Sequence, residues 1–275
     1  MNLASEWRTF KAVFIRNMKL FTAYKAWIVA TVIWPIPLLA LNIYTYSALG
    51  TAQAVSDAFT QYGYPFAGTI VVGTIVYLLY NRLLWGTGTS IQRERWMGTI
   101  ELLFVTPTNK MTILLASGVS SLVEASWWIV CIFFLGGAIF GLQADITSVL
   151  AVVLSIVSTM AALIAVGVFF AGFFVYTRAA DNLASGLQAP IRFFSGVAFP
   201  VNALPQMFQY VSYLIPVTYG ILVLRKAILQ GAGIGNIVLD LLPLYVVAAL
   251  FMVTGYITLR IVERRAKKKG TLYLF

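Results

Sequence analysis

Long apolar runs are the feature that restricts the fold of this chain most strongly. A helix needs roughly 20 predominantly apolar residues to cross a bilayer. Six runs approach or exceed that length, and they lie at residues 26–48, 64–88, 111–140, 147–175, 183–199 and 237–261. The sequence therefore predicts an all-α integral membrane protein with six transmembrane helices.

The composition agrees with a chain that is mostly surrounded by lipid. Hydrophobic residues make up 60% of it and charged residues 10%, whereas a soluble domain carries about 25% charged residues. We therefore interpret residues 1–275 as a single transmembrane domain. Histidine, the commonest metal ligand and general base, is absent. The single cysteine, Cys131, excludes an intrachain disulfide.

The net charge of +10 comes from basic residues that flank the apolar runs, so it indicates membrane topology rather than binding of nucleic acid. Basic residues concentrate in the cytoplasmic loops of membrane proteins. With the N-terminus inside, most of them are cytoplasmic, and the outer loops at 49–63 and 141–146 carry none. Only Arg225 and Lys226 would lie outside, where we expect Asp240 to neutralise one of them. Both termini are therefore predicted to be cytoplasmic, with the chain in the cell's inner (plasma) membrane.

Residues 1–25 have the spacing of an amphipathic helix. Its apolar side chains form one narrow stripe, which consists of Leu3, Trp7, Phe10, Phe14, Met18 and Phe21. Its basic side chains form another face, which consists of Arg8, Lys11, Arg16 and Lys19. We predict a helix that lies at the membrane surface, because a basic face suits anionic lipid. The alternative is a helix packed on the protein's own membrane domain.

Residues 200–235, between the fifth and sixth runs, hold two apolar pieces at 206–215 and 217–229. Each piece is too short to cross a bilayer. The prolines that interrupt them are Pro200, Pro205 and Pro216. Because proline breaks helices, we predict an outer re-entrant helical hairpin in this segment.

Residues 92–110, QRERWMGTIELLFVTPTNK, form the longest charged interruption of the apolar sequence. On a helix that starts at Glu94, one face is polar and holds Glu94, Arg95, Gly98, Thr99 and Glu101. The other face is apolar and holds Trp96, Met97, Ile100, Leu103 and Phe104. We predict a short cytoplasmic helix whose apolar side rests on the membrane bundle and whose charged side faces water or a partner. The alternative is a solvated loop with internal ion pairs.

Charged residues within apolar runs are costly in lipid and are candidates for a functional role. Glu124 lies in the third run, Arg82 in the second and Arg192 in the fifth. We favour a structural pair of Glu124 with Arg82 or Arg192. The alternative is that these charges contact a transported substrate.

No residue pattern typical of a catalytic site is found. The sequence has no phosphate-binding loop with its lysine, no HExxH pattern and no GxSxG pattern. The nine acidic residues include no pair at a spacing that suggests acid–base chemistry. We therefore expect no catalytic residue, and no metal or cofactor bound by this chain.

Two sequence patterns resemble those of a known family. Residues 93–107, RERWMGTIELLFVTP, are similar to the E-R-E-x-G-T-x-E-x-L-x-x-T-P signature of ABC-2 type transporter permeases, with one extra residue before Gly98. A second set resembles the family's pattern after its fifth span and consists of Ser195, Gly196, Phe199, Pro200, Leu204, Pro205, Pro216, Tyr219, Leu224, Arg225 and Gly231. Both patterns occur in the family's order within a six-span layout, so the resemblance covers essentially the whole chain.

The resemblance implies that residues 92–110 are a coupling helix that docks on a separate ABC ATPase. Its implied contact residues are Arg93, Glu94, Arg95, Thr99 and Glu101. Residues 1–25 would be the family's connecting helix. Residues 200–235 would be its outer gate, with Pro200, Pro205, Pro216 and Arg225. Because the second and fifth spans of related permeases line the central path, the implied substrate-path residues are Phe193, Phe194 and Phe199.

The resemblance also implies the partners and the activity. Such a permease dimerises with an identical or different second permease subunit, sits among membrane lipids, and relies on the ATPase to bind ATP and Mg²⁺. The predicted function is export of a hydrophobic, lipid-like, glycan-linked or drug-like substrate. The alternative is an ion-coupled secondary transporter, which would need acids in its spans or a midplane helix break. A membrane enzyme is disfavoured because no catalytic cluster is found.

Overall fold

The computed structural model describes residues 3–50, 52–99, 106, 108–141, 144–175, 177 and 180–269. Within these residues the protein is helical and contains no strand, which confirms the all-α class. In chain order the helices are α1 (Leu3–Ala23), α2 (Lys25–Ile33), α3 (Pro35–Leu49), α4 (Ala52–Thr60), α5 (Phe66–Leu83), α6 (Ser90–Trp96), α7 (Lys110–Phe140), α8 (Val149–Phe174), α9 (Ala180–Phe194), α10 (Gln206–Tyr213), α11 (Pro216–Leu229) and α12 (Ile234–Lys269). A π-helical segment, Leu84–Gly88, joins α5 to α6, and a 3₁₀ turn, Val201–Ala203, precedes α10.

Five helical stretches of the described chain are long and apolar enough to cross a membrane, in agreement with five of the six predicted runs. They are Ile28–Tyr46, Phe66–Gly88, Lys110–Phe140, Val149–Phe174 and Ile234–Arg264. Helices α10 and α11, taken together, are also long and apolar enough to cross a membrane, although the chain bends by 95° between them. The protein is therefore a multi-pass membrane protein with five or six candidate spans.

The predicted fifth span, residues 183–199, corresponds to a helix that ends earlier than predicted, and its crossing of the membrane stays a prediction. Helix α9 has 15 residues and ends at Phe194, so a rise of 1.5 Å per residue makes it about 22 Å long, shorter than a hydrocarbon core of about 30 Å. The helix stops because the backbone turns at Gly196, where φ is +71°. The apolar residues of this turn extend the hydropathy signal beyond the end of the helix.

Helix α5 is the most buried of the spans. In the segment Phe66–Gly88, 83% of the most apolar window is buried within the protein, compared with 44% for α8. Side chains on all sides of α5 are buried, among them Ile70, Val71 and Val76, because α3, α7, α8 and α11 all pack against it. Helix α12 packs along the outside of α8. The last turn of α5, which carries Arg82, is therefore held inside the bundle.

Helix α1 packs along the first half of α7. Asn17 Nδ2 donates a hydrogen bond to Ser120 Oγ at 2.8 Å, and the Glu6 carboxylate accepts one from the Thr112 hydroxyl. No residue of α1 is fully buried, and Trp7 is 65% exposed. The position of α1 therefore matches the alternative of a helix packed on its own domain, and contact of its exposed apolar side chains with lipid stays a prediction.

The two short apolar pieces between the fifth and sixth runs form α10 and α11. Each begins at a proline: Pro205 precedes the first residue of α10, and Pro216 is the first residue of α11. Pro200 likewise precedes the 3₁₀ turn. Proline is favoured at a helix start because its missing N–H would be unpaired there in any case. The two helices are present as predicted, whereas their re-entrant placement in a membrane stays a prediction.

Candidate functional site

Helix α6 ends inside the charged stretch with a well-defined turn. Met97 closes the helix, and Gly98 follows with a φ of +69°. The Gly98 N–H donates to the Arg95 carbonyl at 3.1 Å, and the Thr99 N–H donates to the Glu94 carbonyl at 2.9 Å. These two bonds form a Schellman motif, whose left-handed position favours glycine because a side chain is strained there. The glycine of the family signature thus terminates a helix.

The prediction of a helix that starts at Glu94 is therefore wrong, since α6 already starts at Ser90 and ends at Trp96. The exposed side chains differ accordingly: Trp96 is 63% exposed and Met97 55%, whereas Glu94 is 8% exposed. Among the described residues of the two predicted faces, Glu94, Trp96 and Met97 have the opposite exposure from the predicted one. This follows because α6 continues the second span, so the packing of α5 determines which side of α6 faces the bundle.

The Glu94 carboxylate holds the turn and links it to α1. Its Oε1 accepts a hydrogen bond from Arg16 NH1 at 2.9 Å, and its Oε2 accepts one from the Thr99 hydroxyl at 2.6 Å. Charge-assisted bonds of this kind are roughly twice as strong as bonds between neutral groups. Glu94 is therefore an internal anchor of the turn rather than a water-facing side chain.

Arg95 links the same turn to the end of α8. Its guanidinium donates to the carbonyl groups of Val175 and Thr177 at 3.1 and 3.3 Å, and to Gln92 Oε1 at 2.8 Å. The last carbonyl groups of a helix have no partners within the helix, and a positive charge near that end is favourable. Arg95 therefore caps α8 and fixes α6 against it.

Arg93 points back into the protein from α6. Its NH2 group donates to the carbonyl of Trp85, in the π-helical segment, at 3.0 Å. Burial and the nearby Arg16 lower the pKa of Arg93 from its usual value, and Glu94 partly offsets this. An arginine stays charged after a moderate decrease in pKa, so Arg93 brings a partly buried positive charge to the inner face of α6.

Most of the side chains predicted to contact an ATPase form hydrogen bonds within the protein. Four of them form intramolecular hydrogen bonds: Arg93, Glu94, Arg95 and Thr99. The fifth, Glu101, lies outside the described residues, as do Ile100, Leu103 and Phe104. The turn presents Trp96 and Met97 outwards instead, and the sequence analysis missed this. The glycine after them was the available signal, because it marks the end of the helix.

The predicted pair of intramembrane charges is present. Arg82 NH2 and Glu124 Oε2 form a salt bridge, with side chains that are 17% and 6% exposed. Arg192, the other candidate partner, lies elsewhere: it donates to Asn42 Oδ1 at 2.5 Å, and its guanidinium lies 5.7 Å from the centre of the Tyr77 ring. Glu124 therefore pairs with Arg82, as a buried carboxylate in a span requires.

The two basic residues next to the predicted outer gate have different surroundings. Lys226 forms the predicted ion pair with Asp240 at 2.7 Å. Arg225 is fully buried, so it is an interior residue rather than an exposed one. Its NH2 group donates to three backbone carbonyl groups, those of Thr69 at 2.9 Å, Gly196 at 2.8 Å and Val197 at 3.1 Å. Arg225 therefore ties α11 to α5 and to the turn that follows α9.

The three phenylalanines predicted to line a substrate path form an aromatic cluster. The ring centre of Phe193 lies 5.3 Å from that of Phe194 and 5.4 Å from that of Phe199. Phe194 also contacts Phe208 of α10, at 5.7 Å between ring centres. These edge and tilted contacts are typical of stabilising aromatic pairs. The cluster joins α9 to α10, and its place in a substrate path stays a prediction.

Comparison with known proteins supports the family resemblance. The ABC-2 type transporter family matches residues 8–229, from the first turns of α1 to the end of α11. Nodulation protein J of Sinorhizobium fredii (strain NBRC 101917 / NGR234) is 35% identical over 76 residues, which are 27% of this chain and 29% of that protein. The alignment thus covers less than a third of this relative's length. Because the family match spans most of the chain, including the turn after α6, the charged pair and the buried Arg225, the chain belongs to the ABC-2 type transporter family.

Proposed function

We propose that the protein is the transmembrane permease subunit of an ATP-driven ABC exporter in the inner (plasma) membrane. It moves a hydrophobic, lipid-like, glycan-linked or drug-like substrate out of the cytoplasm or the inner leaflet. A separate ATPase subunit binds ATP and Mg²⁺, and a second permease subunit, identical or different, completes the transporter. Membership of a family that generally works with an ABC ATPase supports this proposal.

The observation that carries the proposal is the turn at the end of α6. Trp96 and Met97 are adjacent and more than half exposed, at the end of the second span where basic residues concentrate. Aromatic side chains and methionine are enriched in protein–protein interfaces. The turn is rigid, because Glu94 links it to α1 and Arg95 links it to α8. A partner docked on Trp96 and Met97 would therefore move membrane helices and not a loose loop.

This arrangement supports a route for coupling. Closure of the ATPase dimer pushes on the turn after α6. The displacement passes through the Arg16–Glu94 pair to α1, through Arg95 to the end of α8, and along the π-helical segment to α5. At the far end of α5, Arg225 connects the Thr69 carbonyl to the turn after α9. Movement of α5 therefore reaches the helices of the predicted outer gate.

An ion-coupled secondary transporter has less support. It would need an acid in a span that is free to bind the coupling ion. Glu124 is the acid on which this alternative relied, and it is engaged in a salt bridge with Arg82.

The proposed orientation predicts which positions are labelled from outside. In a protein whose native Cys131 is replaced by serine, Asp57→Cys in α4 should react with a membrane-impermeant thiol reagent applied to intact cells. Met97→Cys should react only after the cells are opened. Both side chains are exposed in the structure, so accessibility to solvent does not bias the comparison. Labelling of Met97→Cys in intact cells would reverse the orientation and exclude a cytoplasmic ATPase partner at this turn.

The docking surface can be tested with Trp96→Glu. Truncating a tryptophan at the centre of an interface commonly costs about 2 kcal/mol or more, roughly a 30-fold weaker affinity, and a carboxylate buried there costs more. We expect normal amounts of folded permease, much weaker co-purification of a co-expressed partner ABC ATPase, and loss of substrate-stimulated ATP hydrolysis.

Two variants control for that experiment. Trp96→Phe keeps an aromatic anchor and should retain most of the binding. Tyr210→Glu changes a residue of similar exposure, 66% against 63%, on α10 of the predicted outer gate, and should leave ATPase co-purification unchanged. If the Trp96→Glu variant binds and activates the ATPase like the wild type, the turn after α6 is not the docking site of the ATPase.

A further inference from the structure

A cavity of about 450 Å³ lies between α1 and the membrane bundle. Its walls come from the end of α1, the last turn of α5 with the π-helical segment, α6 and the middle of α7. Ligand sites commonly occupy about 300–1,000 Å³, so the cavity is large enough for a lipid headgroup. Arg82, in the last turn of α5, lies six residues before the end of the second span at Gly88, and Arg93 of α6 lies beyond that end, so the cavity extends from within the span to its end.

The bundle side of the cavity carries surplus positive charge. Its charged lining residues are Arg82, Arg93 and Glu124, which sum to one net positive charge. Glu124 is engaged with Arg82. Arg93 uses one N–H group on the Trp85 carbonyl, and an arginine has five. Donors and charge therefore remain for an anion.

The opposite wall is mostly apolar and comes from the end of α1 and the residue that follows it. It is formed by Leu20, Phe21 and Tyr24, of which Leu20 is 50% and Tyr24 68% exposed. A free anion gains little from such a wall, because apolar side chains offer it no hydrogen bonds. A molecule with a phosphate at one end and hydrocarbon at the other satisfies both sides.

We propose that this cavity binds the phosphate-bearing headgroup of an anionic membrane phospholipid, with its acyl chains along Leu20 and Tyr24. The headgroup phosphate accepts hydrogen bonds from Arg93, and the positive charge of Arg82 adds to the attraction. This site is independent of the transported substrate and of the direction of transport. Because α1 also holds Glu94 through Arg16, a bound lipid braces the turn after α6 against α1.

The test uses the purified full-length protein in mild detergent and native mass spectrometry. Phosphatidylglycerol, phosphatidylcholine with the same acyl chains, and inorganic phosphate are the three probes. We expect phosphatidylglycerol to bind most tightly of the three probes. The Arg93→Gln substitution should weaken the affinity for phosphatidylglycerol roughly tenfold, which is equivalent to about 1.4 kcal/mol and is typical of one lost charge-assisted hydrogen bond. Lys19→Gln is the matched control: it removes one positive charge from the exposed face of α1, next to Leu20 but outside the cavity lining, and should leave affinity unchanged.

A second variant covers the case in which Arg93→Gln folds poorly. Asn17→Asp on α1 keeps the shape of a cavity-lining side chain and adds a negative charge. This substitution should therefore weaken the binding of phosphatidylglycerol by a similar factor. Equal losses in Lys19→Gln and the cavity variants would show attraction to surface charge only and would overturn the proposal. Binding of inorganic phosphate as tight as that of phosphatidylglycerol would mean an anion site without a lipid. Unchanged affinity in both cavity variants would mean that the lipid binds elsewhere.

Discussion

Replacing Arg225 by methionine should destabilise the folded protein strongly. The side chain is fully buried, and its guanidinium donates to the carbonyl groups of Thr69, Gly196 and Val197. Thr69 lies within α5, where its carbonyl group belongs to a helix. The carbonyl groups of Gly196 and Val197 lie in the turn after α9, and they lose the Arg225 donor in this variant. A buried acceptor left unpaired costs about 1–3 kcal/mol. We therefore expect a loss of roughly 2–6 kcal/mol, which is a large part of the stability of a typical domain.

The neighbouring residue provides the control for this prediction. Lys226→Met also removes one positive charge from α11, but the Lys226–Asp240 pair is partly exposed, with side chains that are 38% and 32% accessible. Exposed pairs contribute about 0–1 kcal/mol, so this variant should unfold almost like the wild type. Denaturant titration in detergent compares the two. Equal stability of the Arg225 and Lys226 variants would mean that the carbonyl contacts of Arg225 do not hold α11 against α5 and the turn after α9.

Glu124→Leu should also lower the yield and stability of folded protein severely. It leaves Arg82, whose side chain is 17% exposed, without its carboxylate. Removing one member of a buried pair commonly costs about 3–5 kcal/mol, because the remaining charge is desolvated and unpaired. Glu124→Gln should cost less, since the amide oxygen still accepts a hydrogen bond.

A double-mutant comparison separates a structural pair from a transport role. Adding Arg82→Met to Glu124→Leu removes both charges, and replacement of a whole buried pair by apolar residues is often nearly neutral. We therefore expect the double variant to recover much of the stability in thermal unfolding. If Glu124→Leu folds normally and only transport is lost, then the pair serves substrate movement and not the fold.

Several features of this protein were accessible from the sequence because they depend on local composition. Five spans follow from apolar runs, since the transfer of apolar side chains into lipid is favourable whatever their neighbours are. That Glu124 and Asp240 each pair with a basic residue follows from the cost of an unpaired charge, whereas the choice of Arg82 and of Lys226 as partners came from the structure. The helix starts in residues 200–235 follow from the restricted backbone of Pro205 and Pro216.

Other features depend on contacts between distant segments and had no local signal. Glu94 faces the protein because α6 continues from α5, whose packing sets the rotation of α6 about the helix axis. In addition, Arg16, which is distant in sequence, contacts the Glu94 carboxylate. The end of α9 depends on the turn at Gly196, where the apolar run itself continues. Arg225 is buried against backbone carbonyl groups, which every residue has, so its partners cannot be recognised from side-chain identities. The composition of each segment thus sets which parts enter the membrane, whereas the rotation of the helices and the hydrogen bonds to the backbone are settled by packing across the whole chain.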